Sequence, residues 1–353
     1  MIIDYSLKDF SSEFARKTLN KGMKKFKYLL DAVSKKNELF YIALPDFSIT
    51  LKQRRLIFGM PIGGYLKWTS SPKIFPLELD VNPCGVHLLK LHTFCENEFI
   101  TRLYEIKQKL DKEELSLRGK ILKWNFTARN HFINIYKYLD DYYMLSHSSG
   151  ESVLSNWHQL NNMFGVKYIN IDGEDVPYIV GDDAIKYFSI AREESVFFHD
   201  RHNLIFDLLL EGNYENVYSD RHFGLVDNGE LLMGCSKVEI GSKFPILTRP
   251  FQSVFMATVN KPPDDIVNIT NGFSLVPHGL GMTIPDGIVN IQTSNITGGD
   301  YVEILNRNGS KMVTNTLEYI GIDYRDISVI GEMYNKIGID IIGEMIPVLC
   351  TKL

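Results

Sequence analysis

The sequence lacks the features of secreted and membrane proteins. It contains only four cysteines in 353 residues and no CxxC pair, which argues against a disulfide framework and against a zinc finger. No stretch reaches the roughly 18 consecutive apolar residues of a membrane helix. Asp4 and Lys8 stand where a signal peptide needs an apolar run. We therefore expect a soluble, cytoplasmic protein with no membrane partner.

The chain also lacks the excess of positive charge that marks a histone-like nucleic-acid binder. Its net charge is -5, with 23% charged and 44% hydrophobic residues, an ordinary globular composition. Six basic residues nevertheless cluster in one segment: Arg16, Lys17, Lys21, Lys24, Lys25 and Lys27. They are typical either of a solvated helix face or of a patch that binds an RNA backbone.

Familiar phosphate-binding loops are missing as well. The glycine-rich stretch GMPIGG, Gly59 to Gly64, lacks the GK[ST] ending of a P-loop, and it does not match GxGxxG. Taken alone, it predicts only a tight turn.

The pattern of apolar residues predicts a mixed architecture. Helical spacing occurs over residues 11–36 and 98–118. Short β-branched and aromatic runs, broken by Gly and Pro, predict strands within residues 41–68 and 230–310, and residues 316–346 return to a helical pattern. There is no internal repeat and no regular alternation of strands and helices. These features favour one α+β domain over residues 1–353.

Side chains that can bind a metal or take part in catalysis occur where apolar, strand-like runs begin or end, a place where sites are commonly built. They are one carboxylate, one thiol and four imidazoles: Asp80, Cys84, His131, His147, His202 and His278. Any one alone is more simply a hydrogen-bonded core or surface residue. Together they suit borderline metals such as Mn, Fe, Co or Zn, and a histidine can also attack phosphorus and carry the group covalently.

Eight segments resemble, in the same order, motifs of the RtcB family of RNA-splicing ligases. LPDF and GMPIGG resemble its MPDxH and G-PIGG segments, and LELDVNPCGVHLL resembles its Y-D-I-x-C-G-V-R motif. RNHFINI, SHSSG, RHNLIF and PHGLGM resemble GNHFIEI, H-T/S-G-S-R, the HN motif and S-HGAGR, and the final MIPVLCTKL resembles K-P-V-x-x-V-K-G. The resemblance implies a compact RtcB-like domain of mixed β-sheets, flanked by helices, around a metal-lined cleft.

The resemblance also implies a metal site for two manganese ions. Cys84 would bridge the two ions. Asp80 and His131 would complete the coordination of one, and His147 and His202 that of the other.

Nucleotide chemistry is implied in the same way. His278 would be the nucleophile that takes GMP from GTP, Asn130 would contact the nucleotide phosphate, and Tyr324 and Lys352 would lie near the guanine. The implied reaction joins RNA 2′,3′-cyclic phosphate or 3′-phosphate ends to 5′-hydroxyl ends. RNA ends and GTP are the expected partners, and the involvement of an activating protein is left open.

Several positions depart from the family pattern. Asp80 and Cys84 are four residues apart where the family has three, and Asn134 stands where it has glutamate. Ser48 and Met282 replace a histidine and an arginine, and ILTRPFQSVFMATV falls where the family has a guanine-binding loop. These departures predict a divergent member with weakened selection for guanine.

Two other functions remain open from sequence. The first is a metal-dependent phosphoesterase acting on RNA ends without His278 or GTP. The second is a non-catalytic RNA-binding subunit that kept the fold, since function belongs to the site and not to the fold. The remaining histidines are interpreted as structural or surface residues: His87, His92, His158, His199 and His222.

Overall fold

One large mixed sheet organises the chain. The structure, a computed structural model, describes residues 1–127, 130–150, 154, 157–249, 251–296, 299–314 and 321–352. Within these ranges the fold is mixed α/β, with seven α-helices. They are α1 (Phe10–Val33), α2 (Gln53–Phe58), α3 (Glu96–Asp111), α4 (Trp157–Met163), α5 (Asp182–Leu210), α6 (Asp264–Ile269) and α7 (Ile327–Lys336). None of these helices is long and apolar enough to cross a membrane.

The strands of the described ranges form one sheet of eleven strands and five smaller sheets. In chain order they are β1 (Ile2–Asp4), β2 (Asn37–Ser48), β3 (Ile62–Ser70), β4 (Ile74–Pro76), β5 (Cys84–Leu91), β6 (Ser116–Leu117), β7 (Lys120–Ile121), β8 (Phe132–Tyr138), β9 (Asp141–Ser149), β10 (Lys167–Ile171), β11 (Glu174–Val180), β12 (Tyr214–Asp227), β13 (Glu230–Met233), β14 (Cys235–Val238), β15 (Lys243–Ile246), β16 (Val254–Val259), β17 (Ser274–Pro277), β18 (Met282–Thr283), β19 (Ile288–Ile296), β20 (Gly299–Asn306), β21 (Lys311–Thr314), β22 (Asp323–Tyr324) and β23 (Ile339–Thr351). The large sheet has the order β1-β2-β3-β13-β12-β5-β9-β8-β23-β16-β15. β1 and β2 are parallel, and the other pairs of this sheet are antiparallel.

The two faces of the central strands are buried against different partners. Leu89 and Leu91 of β5 pack in a cluster with apolar residues of α3 and α5. Val86 and Leu88 of the same strand pack on the other face, with residues such as Leu247. Successive side chains of a strand point to opposite faces. The register of β5 and its neighbours therefore decides which side chains face the helices and which face the site described below.

Two predicted helices are confirmed. The first, predicted over residues 11–36, is α1, in which Leu19, Met23 and Phe26 are buried. The Asp9 carboxylate accepts a hydrogen bond from the Ser12 N–H as the N-cap. The second, predicted over residues 98–118, is α3, but it ends at Asp111 and the chain continues into β6.

Two other regions differ from expectation. The longest helix, α5 with 29 residues, was not predicted, although its buried residues Tyr187, Ala191 and Phe198 recur at helical spacing. Residues 316–346 were expected to be helical, but only α7 is, and Ile339–Thr351 is strand β23. Strand partners on both sides, β8 and β16, stabilise the extended form. Residues 315–320 lie outside the described part of the chain.

Most of the basic residues of α1 have acidic partners within the protein. Arg16 is 2.6 Å from Asp4, and Lys21 is 2.9 Å from Glu174. Lys25 pairs with the same glutamate. These ion pairs neutralise part of the charge of the helix and favour the interpretation of a solvated face over that of an RNA-binding patch.

Candidate metal and nucleotide site

Three side chains from adjacent central strands converge on one point. Cys84 begins β5, His147 lies in β9 and His222 lies in β12. The Cys84 Sγ is 3.3 Å from the His147 Nε2, which is 3.2 Å from the His222 Nε2. All three ligand atoms lie within 4.8 Å of one another, an arrangement found nowhere else among His, Cys, Asp and Glu side chains of the described ranges. A thiolate and two imidazoles are donors that suit a transition metal or zinc.

Strand register explains the convergence. His147 pairs with Val86, so it shares a face with Cys84, which stands two residues earlier in β5. Opposite β5, the register of β12 shifts between Arg221 and Phe223, and His222 occupies that bulge. Bulges re-aim side chains, often beside functional sites.

The protonation of His147 also fits a metal ligand. Its Nδ1 is 2.8 Å from the carbonyl oxygen of Asn130, so Nδ1–H donates and Nε2 presents a lone pair to Cys84 and His222. Metal-binding histidines commonly donate their other ring N–H to such a carbonyl. Burial lowers the pKa of His147 to about 3 and that of His222 well below its usual value. Both rings are therefore neutral at pH 7, the form that binds metals.

The Cys84 thiol behaves differently. Removal from solvent raises its pKa to about 12, against a smaller lowering by the Arg55 guanidinium. A thiol coordinated to a cation is deprotonated outright. We therefore expect metal binding by this group to release a proton and to weaken at acidic pH.

A fourth imidazole, that of His278, lies beside the group. Its ring centroid is 5.0 Å from that of His222. Its Nδ1 is 2.9 Å from the Asp46 Oδ2 and 2.9 Å from the carbonyl oxygen of Gly234. Asp46 is fully buried, whereas the His278 side chain is 20% exposed. Because Nδ1 is held by these acceptors, Nε2 is the ring atom left to meet a ligand.

Electrostatics couple Asp46 to His278. Burial raises the pKa of Asp46, against the lowering effect of His278. Burial lowers the pKa of His278, but the hydrogen bond and charge of Asp46, with the Gly234 carbonyl, together raise it above its usual value. Because the Gly234 carbonyl oxygen can only accept a hydrogen bond, the His278 Nδ1 beside it carries the proton.

Hydrogen bonds to both its N–H and its carbonyl group hold the backbone of His278 in place. Its N–H donates to the Gly234 carbonyl, and its own carbonyl accepts from the Leu247 N–H. Gly234 has φ +85°, and a Cβ there would lie 3.2 Å from the His278 ring. Only glycine meets both the positive φ and the close approach without strain.

A narrow pocket opens beside His278 and His147. Its lining combines aromatic, amide and basic side chains: Asn130, Phe132, Asn134, Tyr136, His147, Leu247, Thr248, Arg249, Val254, His278, Gly279 and Tyr324. Three of the residues predicted to bind nucleotide, Asn130, Tyr324 and His278, thus share one pocket. The fourth, Lys352, follows β23 and is not among the described lining residues.

Asp80 and His131, predicted as metal ligands, lie outside the three-residue group. The His131 ring meets that of His147 edge-on with centroids 5.5 Å apart, and its Nδ1 is 3.0 Å from the Asn125 Oδ1. Asp80 has φ +46°, and its Oδ2 is 3.8 Å from the Lys52 Nζ. The Asp80 Oδ1 is buried and has no hydrogen-bond partner within the described residues, a feature that fits a cation.

His202, also predicted as a ligand, is placed differently. It lies within α5, not at the end of a strand-like run, and its Nδ1–H donates to the Phe198 carbonyl over 2.7 Å. Its Nε2 accepts from the Ser148 hydroxyl at 2.6 Å. Ser148 follows His147 in β9 and points to the opposite face of the sheet. The sheet therefore separates His202 from Cys84, and His222 takes the place expected for it.

His222 was interpreted from sequence as structural, yet a signal was present. It stands in YSDRHFGLVD, a run with strand-like aromatic and β-branched residues. His202 instead stands among Phe198, Ile205 and Leu209, which are at helical spacing. A comparison of the two local periodicities favours His222 as the strand-borne ligand.

Comparison with known proteins identifies no family, since neither the models of known protein families nor the curated proteins give a match to this chain.

Proposed function

We propose that this chain is a metal-dependent RNA ligase of the RtcB type, which joins RNA 2′,3′-cyclic phosphate or 3′-phosphate ends to 5′-hydroxyl ends through a GMP adduct of His278. One observation carries the proposal. An imidazole oriented by a buried carboxylate, Asp46, lies beside a Cys/His/His group and at the edge of a pocket. An orienting acid, a nucleophile and a metal group are the parts that nucleotidyl transfer requires.

His278 performs the first step in this mechanism. Its Nε2 lone pair attacks the α-phosphorus of GTP, the N–P bond forms, and the bond from the α-phosphorus to pyrophosphate breaks. The Nδ1 proton stays between the ring and Asp46. The substituted ring carries a positive charge, which the Asp46 carboxylate stabilises, as in other sites where a buried aspartate orients a histidine.

A 2′,3′-cyclic phosphate end is first hydrolysed: water adds to the phosphorus and the bond to the 2′-oxygen breaks, which leaves a 3′-phosphate and a 2′-hydroxyl. The adduct then passes its GMP to the 3′-phosphate of the RNA. An oxygen of the RNA 3′-phosphate attacks the phosphorus, the N–P bond breaks, and His278 returns to the neutral form. The 5′-hydroxyl of the second fragment attacks the activated 3′-phosphate, loses its proton, and displaces GMP. Asn130, Arg249 and Tyr324 line the pocket and would offer polar groups to the nucleotide.

Cys84, His147 and His222 would hold the metal, which supplies charge neutralisation of the phosphates when bound. Sulfur and nitrogen donors suit zinc or cobalt, whereas manganese prefers oxygen donors. The unpartnered Oδ1 of Asp80 is such an oxygen. Two manganese ions, as the resemblance implies, would need donors beyond the three that converge.

The first experiment is transfer of label from α-labelled GTP to the protein in the presence of Mn²⁺, followed by denaturing electrophoresis. We expect label on the wild type and none on His278→Ala, because the nucleophile is removed. His92→Ala, which changes an exposed histidine outside the site, should label like the wild type. Equal labelling of His278→Ala would contradict the assignment of the nucleophile.

A second function is favoured by one observation. Three converging protein ligands, Cys84, His147 and His222, are the number found in catalytic zinc sites with an open fourth position. A phosphoesterase on RNA cyclic-phosphate ends would use such a site without GTP. It predicts hydrolysis that survives in His278→Ala. Absence of metal, label and hydrolysis together would instead favour a non-catalytic RNA-binding protein.

A further inference from the structure

One wall of the pocket is formed by alternate residues of a single strand. Phe132, Asn134 and Tyr136 of β8 all line the pocket, as does Asn130 just before the strand. Phe132 pairs with His147 of the metal group. At about 3.3 Å per residue, Asn134 lies roughly 7 Å and Tyr136 roughly 13 Å further along the strand. His278 and Asn134 line the same pocket, so a nucleotide with its α-phosphate at His278 would have its base within reach of this wall.

The amide of Asn134 is held in one orientation. The Thr351 backbone N–H donates to its Oδ1 over 3.0 Å, and its Nδ2 donates to the Tyr136 hydroxyl over 3.3 Å. A backbone N–H can only donate, so the oxygen must face Thr351 and the amide cannot flip. A side-chain amide has two N–H donors and two acceptor lone pairs. One donor and one acceptor remain for a ligand, on a residue that is only 3% exposed.

This donor and acceptor pair has consequences for base selection. Guanine presents two neighbouring donors, N1–H and N2–H, which a carboxylate accepts together. Adenine presents an N–H donor next to a ring-nitrogen acceptor, a pattern with which an asparagine amide pairs through two hydrogen bonds. No Asp or Glu is among the described residues that line the pocket. When adenine binds in place of guanine, no carboxylate among these lining residues is therefore left buried without a hydrogen-bond donor.

We propose that the pocket accepts adenine as well as guanine, so that ATP serves as a nucleotidyl donor to His278. This inference rests on the proposed function and specifies its nucleotide. The reaction is the one written for GTP: the N–P bond forms at Nε2, the bond to pyrophosphate breaks, and AMP is carried on His278.

The test compares α-labelled ATP and GTP at equal concentrations on the full-length protein with the same divalent metal. We expect the two labelling efficiencies to agree within about tenfold, since one bidentate base contact is worth about 1–3 kcal/mol. Labelling by ATP at less than about one hundredth of that by GTP would overturn the inference and leave the proposed function intact.

Binding to His278→Ala, measured by calorimetry with ATP and with GTP, gives a readout independent of catalysis. Similar dissociation constants support acceptance of both bases by the pocket. If neither nucleotide labels the wild type, the ligase function and the role of ATP as a donor are overturned, and acceptance of adenine is judged by binding alone. If GTP binds and ATP does not, the inference is overturned independently of the labelling result. If neither nucleotide binds or labels the protein, both the inference and the proposed function are overturned.

The variant Asn134→Asp tests the residue itself. It is nearly isosteric, its carboxylate still accepts from the Thr351 N–H, and the Tyr136 hydroxyl can donate to it. We expect the preference for GTP over ATP to rise by at least about tenfold, because two acceptors now face the base. Asn216→Asp, an exposed position outside this pocket, adds the same charge and should leave the ratio unchanged. An unchanged ratio in Asn134→Asp would show that Asn134 does not contact the base.

Discussion

We expect replacement of His222 with alanine to abolish stoichiometric metal binding, and replacement of His202 with glutamine to retain it. The His222 Nε2 lies 3.2 Å from the His147 Nε2 in the converging group. His202 lies on the opposite face of the sheet, with both ring nitrogens engaged by Phe198 and Ser148. Loss of supporting residues around a metal already costs about 10- to 100-fold in affinity, so loss of a direct ligand should cost at least about 100-fold.

Metal content after dialysis, measured by mass spectrometry, gives the stoichiometry. Titration with Co²⁺ adds a specific signal, because a cobalt–thiolate bond absorbs in the near ultraviolet. Cys84→Ser should lose that band, and His202→Gln should keep it. Circular dichroism of each variant verifies folding. Equal loss of metal in His202→Gln and His222→Ala would refute the assignment of ligands.

We expect the free energy of unfolding of the metal-free protein to fall steeply as the pH decreases from 6.5 to 4.5. His87 is 1% exposed, and burial, with smaller contributions from His199 and His147, lowers its pKa to about 3. In the unfolded chain the pKa is about 6.5. Below pH 6.5 the His87 side chain is protonated in the unfolded state but stays neutral in the folded state. The free energy of unfolding therefore decreases as the pH falls.

The expected magnitude is large. For His87 alone, linkage predicts a loss of about 2.5 kcal/mol between pH 6.5 and 4.5. His147, with its pKa lowered to about 3, and His202, lowered well below its usual value, act in the same direction. Urea unfolding in the presence of a chelator, at several pH values across this range, measures the effect.

His87→Phe isolates the contribution of one histidine. The His87 ring stacks on that of His202 at 4.4 Å and meets Phe206 edge-on, so phenylalanine keeps the aromatic packing but binds no proton. The pH slope should become shallower by about one proton, whereas the exposed His92→Ala should leave the slope unchanged. A stability that does not vary between pH 6.5 and 4.5, or an equal slope in His87→Phe, would contradict this account.

Local patterns in the sequence were sufficient for features that depend on near neighbours. The helical spacing of Leu19, Met23 and Phe26 predicted α1, because those residues form one face of a helix whatever lies against it. Cys84 and His147 were singled out as candidate site residues from their places in strand-like runs, and they converge in the structure. Each of these predictions depended only on residues that are close together in the sequence.

Features that depend on strand register could not be predicted in this way. Asp46 lies in the segment LPDF, but its hydrogen bond to His278 joins residues 232 positions apart. The choice between His202 and His222 depends on which face of the sheet each side chain reaches. A shift of one residue exchanges the two faces of a strand, and the register is set by pairing with distant strands and by the bulge in β12. The sequence thus determined which kinds of side chain are available for the chemistry, whereas the tertiary structure decided which of them meet, because contacts across a sheet are set by long-range pairing and not by local spacing.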